Sequence, residues 1–184
     1  MNKGKLILTA LLGAAGGVPC PAKPDGRREL GLEFSLTTGG KPLALNAPGL
    51  TDAAGHVATV SRVDFLISGL ALQRGDGTWM ESRDWFGLIS AGQGKYRALA
   101  TGLPPETYRA IRFNVGVDPV NNAADPNEWE PGHPLHPQAS GLHWGWQGGY
   151  IFMALEGQWQ RQDGTRSGWS WHLATDAMRT TVEL

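Results

Sequence analysis

The chain has 184 residues, enough for one domain with a real core and too few for two of typical size plus a leader. Sixteen Lys and Arg against seventeen Asp and Glu give a formal net charge of −1, which excludes the basic footprint of nucleic-acid binding or of a polybasic hold on an anionic membrane. Eight Trp beside three Tyr and five Phe are the anomaly to explain, and 26 Gly with 12 Pro mark a turn-rich chain.

The first 22 residues read as an export signal: Lys3 and Lys5, an apolar run from Leu6 to Ala15, then Gly16 and Gly17. The run is too short to span a bilayer as a helix. Cleavage is expected after Gly17 or Ala22, leaving a mildly acidic domain from residue 23 to 184 in the periplasm or outside the cell. Cys20 lies where a bacterial lipoprotein carries its lipid, although Pro19 before it fits that signal poorly. Lipidation there is the only membrane attachment the sequence offers. With one cysteine, an intramolecular disulfide and a thiolate-rich zinc site are excluded.

Past a polar linker, Leu30, Leu32, Phe34 and Leu36 alternate with Gly31, Glu33, Ser35 and Thr37, the period of a half-buried strand. Residues 38–55 are studded with Gly, Pro and Asn and read as a loop. Val57 to Leu72 then reads as a long extended segment with Val63, Phe65, Ile67 and Leu70 on its apolar face, closed by a hairpin turn at Asp76 and Gly77. Further strands are expected at Trp85 to Ser90, Lys95 to Ala100, Tyr108 to Val117, Tyr150 to Trp159, Ser167 to Leu173 and Arg179 to Leu184. No window shows a sustained helical period. About eight short strands separated by turns predict an all-β, antiparallel sandwich.

The exception is Asp118 to Gly149, a long segment with little strand character that carries Trp129, Trp144 and Trp146 beside His133, His136 and His143. Loops of this length inside a domain are usually functional or disordered, and the aromatic and His content makes disorder the weaker reading. Neutral imidazole is a favoured copper or zinc ligand, which makes these three His candidate ligands, together with His172 in the strand WSWHLAT and His56 in a turn. The loop path through Pro134 and Leu135 does not aim His133 and His136 at one point, and hydrogen-bonded loop histidines explain that pair more simply. In a strand, Trp169 and Trp171 share one face and His172 takes the other. Asp118, Asn121, Asn122, Asp125, Asn127 and Glu128 supply oxygen ligands without calcium-loop spacing, and Asx turns account for them more economically. No nucleophile elbow is present, Cys20 lies in the leader, and no pair of carboxylates is recognised at an apolar strand end. The chain is therefore expected not to be an enzyme.

Taken in order, VDFLISGLAL, YRAIRFNVGV, HPLHP, GLHWGWQGGYIFMALEG and WSWHLAT resemble the MbnP-like family of exported copper-binding proteins, related to CorA and MopE. The stretch from Trp144 to Gly157 carries the resemblance most specifically, followed by the His-Leu pair at His172. The resemblance implies a β-sandwich, a mononuclear copper site, and a di-haem partner of the cytochrome c peroxidase type that oxidises a Trp to kynurenine. Members with that site carry Trp-x-His where this chain has Glu81, Ser82 and Arg83, so only His172 carries over as a ligand by motif. A second imidazole would come from His143, His133, His136 or His56. Trp144, Trp146, Trp171 and Trp129 are then the side chains expected to shield the site or to be oxidised. The competing expectation is a metal-free carbohydrate or surface-ligand module in which Trp129, Trp144 and Trp146 form a stacking platform. A third is a redox partner whose Trp residues relay oxidising equivalents to a haem protein.

Overall fold

The computed structural model describes residues 6–11, 26–52 and 54–184, the first of these spans as backbone alone. Cys20 and most of the expected leader lie outside the described residues. Among the described residues eleven strands form two sheets, so the antiparallel sandwich expected from the turn spacing is what the chain builds, with more strands than the eight anticipated. The smaller sheet holds β1 (Leu6–Leu11), β2 (Arg28–Thr38), β3 (Lys41–Pro42) and β7 (Arg97–Leu103). The larger holds β4 (Pro48–Thr51), β5 (Val57–Arg74), β6 (Trp79–Ser90), β8 (Tyr108–Val115), β9 (Ile151–Gln160), β10 (Arg166–Ala174) and β11 (Thr180–Glu183). All the pairings are antiparallel; β1, inside the expected leader, lies against β2 from Leu6 opposite Thr38 to Leu11 opposite Glu33.

β5 is the spine. One edge carries β9 and then β8 in succession, and the other pairs with β4 and β6. Its alternation sends Val63, Phe65 and Ile67 inward against Leu32, Phe34 and Leu36 of β2, where Phe34 meets Phe65 and Phe113 edge-on at 5.5 and 5.9 Å. At Gly69 the register shifts by a bulge, with φ of 64°, after which Leu70 and Leu72 continue the inner face.

The opposite set, led by Leu66, faces away from β2 and is covered by the long loop. Leu135 and Leu142 from that loop, with Val117 just before it, bury fully against Leu66, Phe152 and Tyr150. A second small core thus lies on the outer face of the larger sheet. The loop is not without structure: it contains α1 (Pro119–Ala123), α2 (Pro137–Ser140) and a 3₁₀ turn at Pro126–Glu128. Asp118 caps α1 and Asp125 caps the 3₁₀ turn through their carboxylates, in keeping with the turn reading of that acidic and amide set. The Tyr150 hydroxyl donates to the Leu135 carbonyl at 2.7 Å, and Asn122 accepts from the Tyr150 amide at 2.8 Å, pinning the loop to the start of β9.

Candidate functional site

The five histidines go to separate places. His56 pairs with Asp52 at 2.8 Å in its turn. His133 stacks on Trp129, with ring centroids 4.1 Å apart and planes within 7°, and its Nδ1 accepts from the Leu135 amide. Burial holds the His133 imidazole below its ordinary value and keeps it neutral. His136 caps α2 by accepting from the Gln138 amide at 3.2 Å. His143 sits edge-on to Tyr150 at 5.0 Å; burial lowers it too, against an opposing pull from Asp125.

His172 differs from these four. It projects from β10 onto the outer face, on the side opposite Trp169 and Trp171, which neighbour one another at 5.6 Å. Its Nε2 lies 2.9 Å from Glu156 Oε1, and Arg62 Nη1 donates to the same oxygen at 3.0 Å. Arg62 Nε also donates to Asp64 at 2.6 Å, and Nη2 reaches the Gly141 carbonyl of the loop at 3.2 Å. Burial alone would raise the Glu156 carboxyl, but the bonds from His172 and Arg62 outweigh it and hold it below the ordinary carboxylate value. An ionised Glu156 can only accept, so Nε2 carries the proton and the lone pair of the neutral ring is on Nδ1. Trp144 approaches His172 from the loop, at 6.5 Å between ring centroids.

Arg62, Asp64 and Glu156 escaped the sequence reading. The signal was there, a lone acid within IFMALEG and an Arg-x-Asp within VSRVDF, but the register that puts Arg62 opposite Glu156 spans 94 residues.

Among the described residues no three His, Cys, Asp or Glu side chains stand together as a metal cage. On the strand face of β9 and β10, the imidazole held by a carboxylate is His172. The tryptophans also divide. Trp129 is packed under Phe86 and His133, so no platform of three coplanar rings forms, whereas Trp146 is 81% exposed and 5.9 Å from Trp144 at an angle of 34°.

The MbnP family description matches residues 27–184, nearly the whole of the described domain. The chain belongs to the MbnP family. Among solved structures, MbnP from Methylosinus trichosporium matches with a TM-score of 0.59 at 17% identity, over 85% of this chain and 71% of that one. No curated protein matches. At that identity the structural likeness speaks for the fold, which here is the two-sheet sandwich with its outer face partly covered by the Trp/His loop. Glu81 and Arg83, standing where the resemblance expects Trp-x-His, are joined on β6 by a 3.1 Å ion pair and bring no imidazole.

Proposed function

We propose that this MbnP-family chain is an exported, non-catalytic protein that handles copper as cargo, with His172 as its protein ligand. The observation that supports this is the orientation of His172: a carboxylate holds one ring nitrogen and leaves the other to a metal, the arrangement typical of metal-bound imidazoles. Arg62 in turn fixes Glu156, so the imidazole is aimed. One protein ligand suits an ion that is passed on, because the remaining positions are free for the donor or acceptor molecule; a di-haem peroxidase-type protein is the partner that accompanies this reading. Neutral nitrogen donors favour copper over the other first-row divalent ions.

The test is a competition titration of Cu(I) and Cu(II) against a chromogenic chelator. His172→Ala should lose at least tenfold in affinity, and Glu156→Gln roughly tenfold to a hundredfold, as removal of such an orienting partner typically does. His133→Ala and His136→Ala should bind as the wild type does. Equal affinity in the wild type and His172→Ala would sink the assignment.

The exposure of Trp146 beside Trp144 supports a second reading, a stacking surface for a sugar or another flat ligand. Quenching or blue-shift of tryptophan fluorescence by an oligosaccharide, lost in Trp146→Ala and kept in His172→Ala, would favour it over copper handling.

A further inference from the structure

Away from His172, on the outer face where β5, β6 and β8 run together, lies a cavity of about 470 Å³ that neither the copper reading nor the tryptophans use. That volume is in the range of small-ligand sites. Its floor is the bulge at Ser68 to Ala71, and Arg112, Asn114, Val120 and Arg179 stand around it. Gly69 makes the floor possible: at φ of 64° it opens a space in which a Cβ would meet Asn114 Nδ2 at 3.0 Å and Arg179 Nη2 at 3.7 Å. Two N–H-bearing side chains therefore converge over a residue that has no side chain.

Asn114 is held in place from behind. Thr181 donates to Asn114 Oδ1 at 2.8 Å, which turns the amide nitrogen toward the cavity. Its bond to the Ser68 carbonyl is long, at 3.4 Å. Arg179 arrives from a 3₁₀ turn at Asp176–Met178 that follows Thr175, a non-glycine residue at φ of 83°. Its Nε is shut off from solvent and has no hydrogen-bond partner among the described residues. That nitrogen is closed to a ligand as well as to water, and the guanidinium nitrogen that faces the open space at Gly69 is Nη2.

The acids that share the cavity are largely occupied. Asp118 accepts from the Val120 and Asn121 amides and from the Asn121 side chain. Glu81 is shared between Arg83 and Arg112, and Arg112 is steadied by the Trp79 ring beneath it, 4.4 Å away. Asp84 stands exposed at the edge. Donors are thus in excess at the centre, with Leu70, Ala71 and Val120 supplying apolar surface.

We propose that this cavity is a binding site for a small organic anion, whose carboxylate or phosphoryl oxygens accept from Arg179 Nη2 and Asn114 Nδ2 while its body lies along Ala71 and Val120. Arg112 adds positive charge at one side. The site is independent of copper at His172 and stands or falls separately.

Isothermal titration of the full domain with succinate and, separately, with inorganic phosphate tests it. At least one should bind saturably, at one equivalent, and Arg179→Ala should weaken it tenfold or more. Succinate alone would mark a carboxylate ligand, phosphate alone a phosphoryl one, and either supports the site. Should Arg179→Ala fold poorly, Val120→Glu serves instead: Val120 is 79% exposed, so the change costs the fold little while placing a negative charge at the mouth, and it should also weaken binding at least tenfold. His172→Ala should bind the anion as the wild type does, and Arg179→Ala should keep its copper affinity. No binding of either anion, or equal binding in wild type and Val120→Glu, overturns the proposal.

Discussion

The two faces of the larger sheet are made by the same strands and do different work. On the inner face, β5 and β8 set Phe65, Ile67 and Phe113 against β2, and the contacts are apolar throughout. On the outer face the intervening residues of the same strands include Arg62, Asp64, Ser68, Arg112 and Asn114, and a loop of mixed character covers only part of them. An antiparallel sheet normally leaves its second face to water. Here that face is half covered, which creates a partly dry setting where charges must find partners and where a cavity can persist between the loop and the exposed half of β6. Packing keeps the inner face fixed; polar bonds hold the outer one, and every candidate ligand contact lies there.

The largest effect should come from breaking the inner face. Phe65→Ala removes a fully buried ring that touches Phe34, and should cost about 3–5 kcal/mol of unfolding free energy in urea titration. A loss below about 1 kcal/mol would mean that the two sheets do not depend on this contact. On the outer face, Arg62→Met should cost less, about 2 kcal/mol, because it strands Asp64, which is buried and already has one oxygen without a partner among the described residues. Adding Asp64→Leu should recover most of that loss, since a matched apolar pair no longer holds a lone buried charge. If the double variant is no better than the single, the network is more than a local charge balance.

Tyr150→Phe should cost about 1 kcal/mol, by removing the hydroxyl that meets the Leu135 carbonyl and leaving that carbonyl unpaired. Its sharper signature is local. Amide exchange across α2 and the residues around Leu142 should accelerate while the inner strands keep their protection. Uniform acceleration would show that the loop and the sandwich open as one unit.

The inner face was legible in the amino-acid order because its signal has period two and is local. Leu30 to Leu36 and Val63 to Ile67 declare their strands, and the cost of burying polar groups enforces the alternation. The first half of β6, WMESRD, was not foreseen, because its outward residues line an open cavity and no burial imposes a pattern. β3 and β4 are too short to show one, and lie inside what reads as a loop. At the candidate site His172 was visible through its neighbours in sequence, but Glu156 and Arg62 become its partners only through cross-strand register, which no local window contains. The same holds for Arg179 and Gly69, brought together by β11 pairing with β8 and β8 with β5.

The smallest effect separates the faces by pH. The fully buried residues of the inner core carry no titratable side chain, Tyr108 only packing at its margin, so the variants are compared through groups of the outer face. Glu156 is held below its ordinary value of 4.5, so the stability it adds is present above that pH and is lost as pH falls through its lower folded value. Glu156→Gln should therefore lose less stability than the wild type on acidification below pH 4.5, and behave in parallel with it above. Tyr150 works at the other end. Burial, reinforced by the nearby Asp125 charge, pushes its phenol up to about 12 from 10, so its contribution is full below pH 10 and is lost as pH rises from there toward 12. Tyr150→Phe should flatten the alkaline limb and leave the acid limb alone, whereas Phe65→Ala should lower the whole curve without changing its shape. A changed shape in Phe65→Ala would show that loosening the inner face disturbs the charged network 64 to 156 behind it, and that the two faces are mechanically coupled through β5.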